Sequence, residues 1–423
     1  MNRVCSIFSQ ILQFVPRLEF EAAVRKAEHR QHGFASWDQF GAMMFCQLGH
    51  AQSLREITGG LASCEGKLKH LGMDGAPARS TLAYANENRP WQLYQDVFQT
   101  VLGRCQHEAQ NHKRKFRFKH KLLSIDATMV ELCLSAFDWA VYKRTKGALK
   151  LHLVLDHDGY LPCYAVLTDG KESEINVAKS MTFQPGTMLV FDRGYPDHDW
   201  WLSLTRSKVN FVTRLKDNVD YGVVSQREVS KDGDIMRDEV IVLTSQQEIG
   251  PKAQLRRIEV WVEERKETMV FVTNNLKLAA STIAAIYKER WQIELFFKAL
   301  KQSLKIKTFV GTSENAVQIQ IWTALIAMLL LKYLQLRSTF AWSFSHLVAL
   351  IRRQLFVYRD LMSWLNNPYQ GSARAGGHPR PAVPAGLCPA GRKLIWIARF
   401  RFRAYLLSPG HHYGENLDST PQH

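Results

Sequence analysis

Residues 281–303 of the chain have the sequence STIAAIYKERWQIELFFKALKQS, and this stretch carries the most specific pattern in the protein. Its apolar residues recur at helical spacing, which predicts a single amphipathic helix. Within an arc of about 60° on that helix lie four polar side chains, Tyr287, Arg290, Glu294 and Lys301. An acid flanked by cations suits a site where a metal-binding carboxylate lies beside a polyanionic substrate. A solvated face with ion pairs between residues four apart would show the same spacing.

Two other segments place acids in apolar surroundings. Residues 122–130, LLSIDATMV, and residues 187–195, TMLVFDRGY, are predicted to form buried strands that carry Asp126 and Asp192. A buried carboxylate is costly unless it is paired or binds a metal ion. Together with Glu294, these acids predict a three-carboxylate pocket of the kind that holds Mg²⁺ or Mn²⁺. Two such ions can activate a water molecule and stabilise the leaving oxygen when a phosphodiester is cleaved.

These motifs together resemble the bacterial D-D-E transposases of the insertion-sequence-4-like family. The resemblance rests on the Y-x2-R-x3-E-x6-K spacing of residues 287–301, the D-R-G-Y motif at residues 192–195 and the helical pattern of residues 53–89. It covers about residues 1–368. It implies that Asp126, Asp192 and Glu294 are catalytic and bind two Mg²⁺ ions, for which Mn²⁺ can substitute.

Several other residues are expected to contact DNA. Arg290 and Lys301 would grip phosphates, and Tyr287 would either contact the backbone near the scissile bond or pack as a core phenol. By resemblance, Met269 would push a base out of the stack when a DNA hairpin forms, although a strand residue that faces the core is the alternative. The remaining candidates are Lys298, Arg193, Arg79, Arg89 and Trp291, of which the tryptophan is also compatible with simple packing.

The composition agrees with a polyanionic partner, because the formal net charge is +16 and the pI is about 9.5. The seven cysteines include no C-x2-C pair, so neither a disulfide framework nor a zinc site is indicated. The longest apolar run, at residues 324–331, is too short to span a bilayer and is predicted to lie in a buried helix. We therefore expect a bacterial, cytoplasmic, nucleoid-associated protein that binds double-stranded DNA and no membrane.

The order of the predicted elements indicates the fold class and the domains. Residues 122–337 follow the βββαβ-α-β order of an α/β, ribonuclease-H-like (retroviral-integrase-like) catalytic domain. Residues 216–272 would form a β-rich insertion that, by resemblance, helps to position the DNA end. Residues 1–105 are predicted to form an all-α, helix-turn-helix-like DNA-binding domain, followed by a basic linker at 106–121. Residues 338–368 would add a C-terminal helix, and residues 369–423 a disordered or non-native tail.

The expected function is cut-and-paste DNA transposition. The enzyme would bind the terminal inverted repeats of its insertion sequence, cleave DNA with the help of metal ions and join the freed 3′-hydroxyl to target DNA. A hairpin intermediate and a synaptic homodimer follow from the resemblance alone. A ribonuclease-H-fold nuclease is one alternative, but it would lack the N-terminal helices and the basic helix face. A catalytically inactive, transposase-derived regulator is the other, but it would usually have lost one of the acids that this chain retains.

Overall fold

A computed structural model describes residues 5–27, 33–64, 66–110, 115–116, 120–133, 135–143, 146–230, 233–244 and 254–369. Part of the predicted basic linker, at residues 111–114 and 117–119, lies outside the described residues, as does the predicted tail from residue 370 onwards. The described residues belong to one compact unit that spans Met1–Gln370.

Short helices occupy the chain before the first strand, as its apolar spacing predicts. Serine side chains begin two of them, because the hydroxyls of Ser6 and Ser53 each accept a hydrogen bond of 3.2 Å from the amide three residues further on. The helices are α1 (Ile7–Leu12), α2 (Arg17–Lys26), α3 (Ser36–Gly49), α4 (Leu54–Ala62), α5 (Arg79–Asn88) and α6 (Gln92–Ala109), with a 3₁₀ turn at Leu68–Leu71. Helix α6 thus continues beyond residue 105.

The central sheet follows the predicted order of elements, with one additional short strand at Val141–Lys143. Its first strands and the helices between them are β1 (Leu122–Leu132), β2 (Val141–Lys143), β3 (Lys146–Asp156), β4 (Leu161–Asp169), α7 (Glu174–Ser180), β5 (Met188–Val190), α8 (His198–Arg206) and β6 (Asn210–Arg214). Strand β3 pairs antiparallel with both β1 and β4, while β1, β5 and β6 are parallel neighbours. The resulting order β4-β3-β1-β5-β6 is that of ribonuclease H, which confirms the expected fold class.

The β-rich insertion extends this sheet and does not form a separate one. Its strands are β7 (Tyr221–Gln226), β8 (Ile235–Leu243), β9 (Leu255–Val262) and β10 (Glu267–Thr273). They are antiparallel neighbours in sequence order, and β10 pairs with β6 of the central sheet. Buried ion pairs of 2.5 Å between Arg256 and Asp238 and 3.0 Å between Arg257 and Glu239 join β9 to β8. The ion pairs stabilise the insertion itself, and the pairing of β10 with β6 holds it beside the catalytic strands.

The remaining helices are α9 (Ala280–Glu289), α10 (Trp291–Ser303), α11 (Glu314–Arg337), α12 (Phe344–Gln354) and α13 (Leu361–Asn366). The prediction of one continuous helix over 281–303 is wrong at Arg290, where α9 ends and α10 begins. The amides of Arg290 and Ile293 donate to carbonyls three residues earlier, so the junction is a tighter turn than an α-helix. Tyr287 therefore lies on α9, whereas Glu294 and Lys301 lie on α10.

One hydrophobic core joins helices α1–α6 and α10–α13 to one face of the sheet. Helix α11 lies at its centre, and every residue from Ala316 to Leu331 is buried. The helix is long and apolar enough to cross a membrane, but its side chains are packed inside the protein. The indole of Trp322 on α11 stacks against Trp91 and meets the ring of Phe98 on α6. The N-terminal helices are thus built onto the catalytic part of the molecule.

Candidate active site

Asp126 and Asp192 are brought to the same edge of the sheet by the pairing of β1 with β5. The strands are parallel and Ser124 lies opposite Val190, so Asp126 and Asp192 each follow two residues beyond this pair. Strand β5 ends at Val190, whereas β1 continues to Leu132. Asp192 therefore lies in the loop at the carboxyl end of its strand, beside an acid that is held within a strand.

Asp126 is an acid in a largely buried position. Its side chain is 19% exposed, and its Oδ1 accepts a hydrogen bond of 2.8 Å from the amide of Ala127. The pKa of Asp126 is raised to about 7, chiefly by burial and to a smaller extent by the charges of Asp192 and Glu174, while the Ala127 amide and Arg290 oppose the shift. A carboxyl group whose charge is disfavoured in this way is stabilised by a neighbouring cation.

The loop after β5 orients Asp192 through the backbone. The amide of Gly194 donates a hydrogen bond of 2.5 Å to Asp192 Oδ1, and the hydroxyl of Thr213 on β6 donates to the Asp192 carbonyl. A Cβ atom at residue 194 would lie 2.6 Å from Asp192 Oδ1. This close approach explains why the D-R-G-Y motif has glycine at its third position.

Arg290 links the acids of β1 and α10. Its Nη2 donates to Glu294 Oε1 at 2.6 Å, and its Nη1 lies 3.9 Å from Asp126 Oδ2. Burial disfavours the charge of this guanidinium, but Tyr287, Glu294 and Asp126 outweigh that effect and raise the pKa of Arg290. The helix junction at Arg290 thus brings a cation between two carboxylates that are far apart in sequence.

Tyr287 and Lys301 also lie at this site, at opposite ends of the Arg290–Glu294 pair. The Tyr287 ring packs 4.7 Å from that of Phe271 on β10 and 5.7 Å from the Arg290 guanidinium carbon. Burial raises the pKa of the Tyr287 phenol. Lys301 Nζ donates to Thr128 Oγ1 at 2.7 Å and to the carbonyl of Met129 at 2.8 Å, which ties α10 to β1.

Four of the other residues expected to contact DNA lie on the surface: Trp291, Lys298, Arg193 and Arg79. Trp291 follows Arg290 directly and is 42% exposed, which is uncommon for so large an apolar side chain. The exposed part of its ring is accessible to a base.

Arg89 does not lie where its predicted role requires. The side chain is only 6% exposed, and its guanidinium donates to Gln39 Oε1 at 3.2 Å and to the carbonyl of Phe34. The neighbouring Asn86 is also buried and accepts a hydrogen bond from Gln39. The prediction that Arg89 reaches DNA is wrong, because these contacts use the side chain to connect α5 to α3 and the segment before it.

Met269 is likewise buried rather than turned towards DNA. It is 7% exposed and belongs to a hydrophobic cluster with Val260 on β9 and with Ile283 and Ile286 on α9. This position contradicts the expectation that the side chain acts as a wedge between bases. Side chains alternate between the two faces of a strand, and Met269 lies on the face of β10 that packs against α9.

A buried polar cluster beside the site was missed by the sequence interpretation. The Glu289 carboxylate, at the end of α9, is paired with Lys115 at 2.5 Å and with the Tyr160 hydroxyl at 3.2 Å. His157 Nδ1 lies 3.9 Å away, while Nε2 of the same ring is 2.6 Å from Ser124 Oγ. His157 and Lys115 together lower the pKa of Glu289 to about 2. The end of α9 is thereby anchored to the turn between β3 and β4.

The described residues include no group of three His, Cys, Asp or Glu side chains close enough together to hold a metal ion by themselves. The donor chemistry nevertheless suits a hard divalent cation, since carboxylate oxygens are its preferred ligands. The Arg290 guanidinium already occupies a position between the Asp126 and Glu294 carboxylates, so a cation is accommodated there.

Comparison with known proteins agrees with this arrangement. The family model described as the transposase DDE domain matches residues 117–330, and a model described as a domain of unknown function matches residues 4–74. A transposase-named protein of Sinorhizobium fredii is 31% identical over 293 residues, which is 68% of this chain and 80% of that protein. A transposase for an insertion sequence element of Geobacillus stearothermophilus is 28% identical over 60% of this chain and 67% of its own length.

A solved structure of a piggyBac transposase synaptic complex with hairpin DNA has a weaker overall likeness, with a TM-score of 0.41 and 10% identity over 88% of this chain and 83% of that one. Proteins with the DDE domain generally use divalent metal ions. Since the DDE model spans half of the sequence and the Sinorhizobium protein is matched over most of its length, the chain belongs to the DDE transposases of bacterial insertion sequences, enzymes that cleave DNA and transfer its strands in transposition.

Proposed function

We propose that this transposase uses Asp126, Asp192 and Glu294 to cleave and rejoin DNA at the ends of its own insertion sequence. The observation that supports this assignment most directly is the Arg290 guanidinium, 2.6 Å from Glu294 Oε1 and 3.9 Å from Asp126 Oδ2. Two acids from distant parts of the chain share one cation, and neither has another basic partner in the described part of the protein. Two carboxylates that are close enough to share one guanidinium are also well placed to bind a divalent metal ion.

The three carboxylates would hold two Mg²⁺ ions, and Mn²⁺ would be able to replace them. When bound, the ions supply an activated water molecule and neutralise charge on the leaving oxygen. Arg290 would then turn from the carboxylates to a DNA phosphate, which a guanidinium can bind through two parallel hydrogen bonds. The Tyr287 ring, 5.7 Å from the guanidinium carbon, would help to hold Arg290 beside the acids.

The surface around the acids would hold the DNA. Lys298 and Arg193 are exposed cations that can contact phosphates without regard to base sequence. The exposed Trp291 ring offers a stacking surface for a base that is unpaired near the cleavage point. Arg79, at the start of α5, would contact the terminal inverted repeat further from the site.

The proposed cycle is cut-and-paste transposition by a homodimer that pairs the two element ends within the bacterial nucleoid. Water first attacks a phosphodiester at the element end and releases a 3′-hydroxyl. That hydroxyl attacks the opposite strand and closes a hairpin, which water reopens, and the 3′-hydroxyl finally attacks target DNA. Every step replaces one oxygen substituent on phosphorus by another, so a single site can serve the whole cycle.

Isosteric removal of each carboxylate charge tests this proposal. Asp126→Asn, Asp192→Asn and Glu294→Gln should each reduce Mg²⁺-dependent nicking of a duplex that carries the element end by more than about a hundredfold, the scale of losing one preorganised group. Binding of the same duplex, measured by fluorescence anisotropy, should change little because phosphate contacts supply the affinity. Asp199→Asn on α8 makes the same charge change at an exposed residue and should nick normally. Near-normal nicking by any of the three variants would exclude that residue from the catalytic set.

A further inference from the structure

An open cavity of about 390 Å³ lies where the N-terminal helices meet the end of α10. One wall comes from the connection between α3 and α4, and the other from the last turn of α10 and the segment that follows. The cavity is lined by His50, Gln52, Lys301, Gln302, Leu304, Lys305, Lys307 and Thr308. The ionisable side chains in this lining are three lysines and one histidine, and no lining residue carries a carboxylate.

Lys305 is the most informative of these residues. It is only 4% exposed, and its ammonium donates to Gln52 Oε1 at 2.5 Å and to the hydroxyl of Thr308. Both acceptors are neutral, and no carboxylate in the described part of the protein forms an ion pair with this lysine. Burial lowers the pKa of Lys305, as expected for a cation with little solvent contact. A buried ammonium is stabilised most by an anion, which makes an anionic ligand the natural complement of this cavity.

Other cations lie close to this cavity, while Glu56 and Glu131 are the acids that oppose the lowering of the pKa of Lys305 and Lys301 respectively. Lys307 is exposed at the rim of the cavity. Burial is the main cause that lowers the pKa of Lys301, and the positive charge of Lys307 lowers it further. Arg352 on α12 donates to the carbonyl of Ser303 at the end of α10. Burial lowers the pKa of His50, and the charges of Arg352 and Lys305 lower it further. Several positive charges thus converge on one small volume, where their fields add.

The cavity is also preorganised. Gln52 is held by its own backbone amide, which donates to Glu56 Oε2 at 2.9 Å, and by its side-chain amide, which donates to the carbonyl of His50 at 3.1 Å. These contacts leave Gln52 Oε1 directed at Lys305. Glu56, the nearby acid, is therefore already engaged at the start of α4 rather than at the ammonium.

The position of the cavity relative to the acids indicates what the anion is. Lys301 lines the cavity and lies on the same helix as Glu294. Glu294 and Lys301 are seven residues apart on that helix, which corresponds to about 10 Å along its axis. One DNA strand advances by about 3.4 Å per nucleotide, and the cavity lining extends beyond Lys301 to Lys307. A strand that crosses the site would therefore present its backbone to the cavity about three to five nucleotides from the scissile bond.

We propose that this cavity, with Lys305 at its floor and Lys307 at its rim, binds a backbone phosphate of the DNA about three to five nucleotides from the scissile bond. The assignment rests on the proposed function, because it takes the distance from the candidate acids. It gives the N-terminal helices a direct part in holding the cleaved strand, since Gln52 and His50 form one wall.

The salt dependence of DNA binding tests the proposal. For the full-length protein and an element-end duplex, Lys305→Gln and Lys307→Gln should each weaken binding at low salt on the order of tenfold and reduce the slope of log affinity against log salt by about 0.9, the contribution of one phosphate contact. Lys277→Gln removes an exposed charge just before α9, outside the cavity lining, and should leave the slope unchanged. Lys307 is at the rim, so its variant remains informative even if Lys305→Gln lowers the melting temperature.

A duplex with single methylphosphonate substitutions locates the contact. Neutralising one phosphate three to five nucleotides from the cleavage point should weaken binding of the natural protein but cause no further loss in Lys307→Gln. Unchanged slopes in both lysine variants, or additive losses at every phosphate, would overturn the proposal. Nicking by the natural protein is measured in parallel: its absence would contradict the proposed function, whereas the slopes and the methylphosphonate pattern would still decide whether the cavity binds phosphate.

Discussion

Gly194 lies two residues after Asp192 and donates its amide to the Asp192 carboxylate. Replacing it with alanine would place a Cβ atom 2.6 Å from Asp192 Oδ1, so the carboxylate would have to move. We expect Gly194→Ala to reduce nicking by at least about tenfold, which corresponds to only about 1.4 kcal/mol of lost transition-state stabilisation. The measurement is the initial nicking rate in Mg²⁺, with thermal unfolding followed on the same preparation.

Gly222→Ala is the matched control for this change. Gly222 lies in β7, and a Cβ atom there would meet nothing within 4 Å. The control should nick at the normal rate. If Gly194→Ala also nicked normally with an unchanged melting temperature, the orientation of Asp192 by this loop would not matter for cleavage.

Arg290 contacts acids on two different elements because it lies at the junction between α9 and α10. In a continuous helix its neighbours would be residues three and four positions away, as Glu294 is. The tighter turn at the junction leaves the guanidinium also within 3.9 Å of Asp126 on β1. The same residue therefore neutralises the acidic site and, in the proposed cycle, supplies a phosphate contact.

Strand β10 and helix α9 form the contact that positions the Tyr287–Arg290 end of the site. Met269 packs in this contact, so Met269→Ala should remove buried volume and destabilise the protein by about 2–5 kcal/mol. The measurement is the midpoint of urea unfolding, together with the rates of nicking and hairpin formation. Both rates should fall in parallel, since the whole of α9 would be loosened.

Met236→Ala on the adjacent part of the insertion provides the comparison, because Met236 is 56% exposed on β8. It should change the unfolding midpoint only slightly. A selective loss of hairpin formation in Met269→Ala, with stability preserved, would instead support the base-displacing role that the sequence resemblance implies and that burial contradicts.

The end of α9 is held at a second point by the cluster around Glu289. Lys115, Tyr160 and His157 approach this carboxylate from three different segments. Charge-assisted contacts of this kind are strong when one partner is buried, as Glu289 is. The helix junction that carries Arg290 is thereby fixed both to the insertion, through Met269, and to the turn between β3 and β4.

At the scale of the whole molecule, the N-terminal helices and α11 share one core. Trp91 and Phe98 of the N-terminal helical part enclose Trp322, and the buried Gln47 side chain donates to the Gln320 carbonyl at 3.0 Å. A fragment of residues 1–110 would expose these apolar faces to water. We expect it to show no cooperative thermal transition by circular dichroism, whereas residues 1–369 should unfold cooperatively.

Trp322→Ala in the full-length chain is a second test of the contact between the N-terminal helices and α11. It should lower the free energy of unfolding by about 3–5 kcal/mol. A fragment of residues 1–110 that melted cooperatively on its own would show that the N-terminal helices are an independent domain. In that case the shared core would be a docking surface rather than a condition for folding.

Much of the fold and of the site follows from local sequence patterns. Alternating or continuous apolar runs identify the strands that contain Asp126 and precede Asp192, and the repeat of three and four residues identifies the helices that carry Tyr287 and Glu294. These patterns are readable because the side-chain geometry of a strand or helix repeats within a few residues. The spacing of the motifs was sufficient to identify the family.

Tertiary structure alone decided which partner each side chain meets. Arg89 and Met269 have the residue types of a DNA contact, but segments elsewhere in the chain cover them. The pairing of Arg290 with Asp126 and the burial of Lys305 beneath Gln52 likewise join residues that are far apart in sequence. Local periodicity states which face of an element is apolar, but the packing of distant elements determines what covers that face, and therefore which charges remain available to DNA.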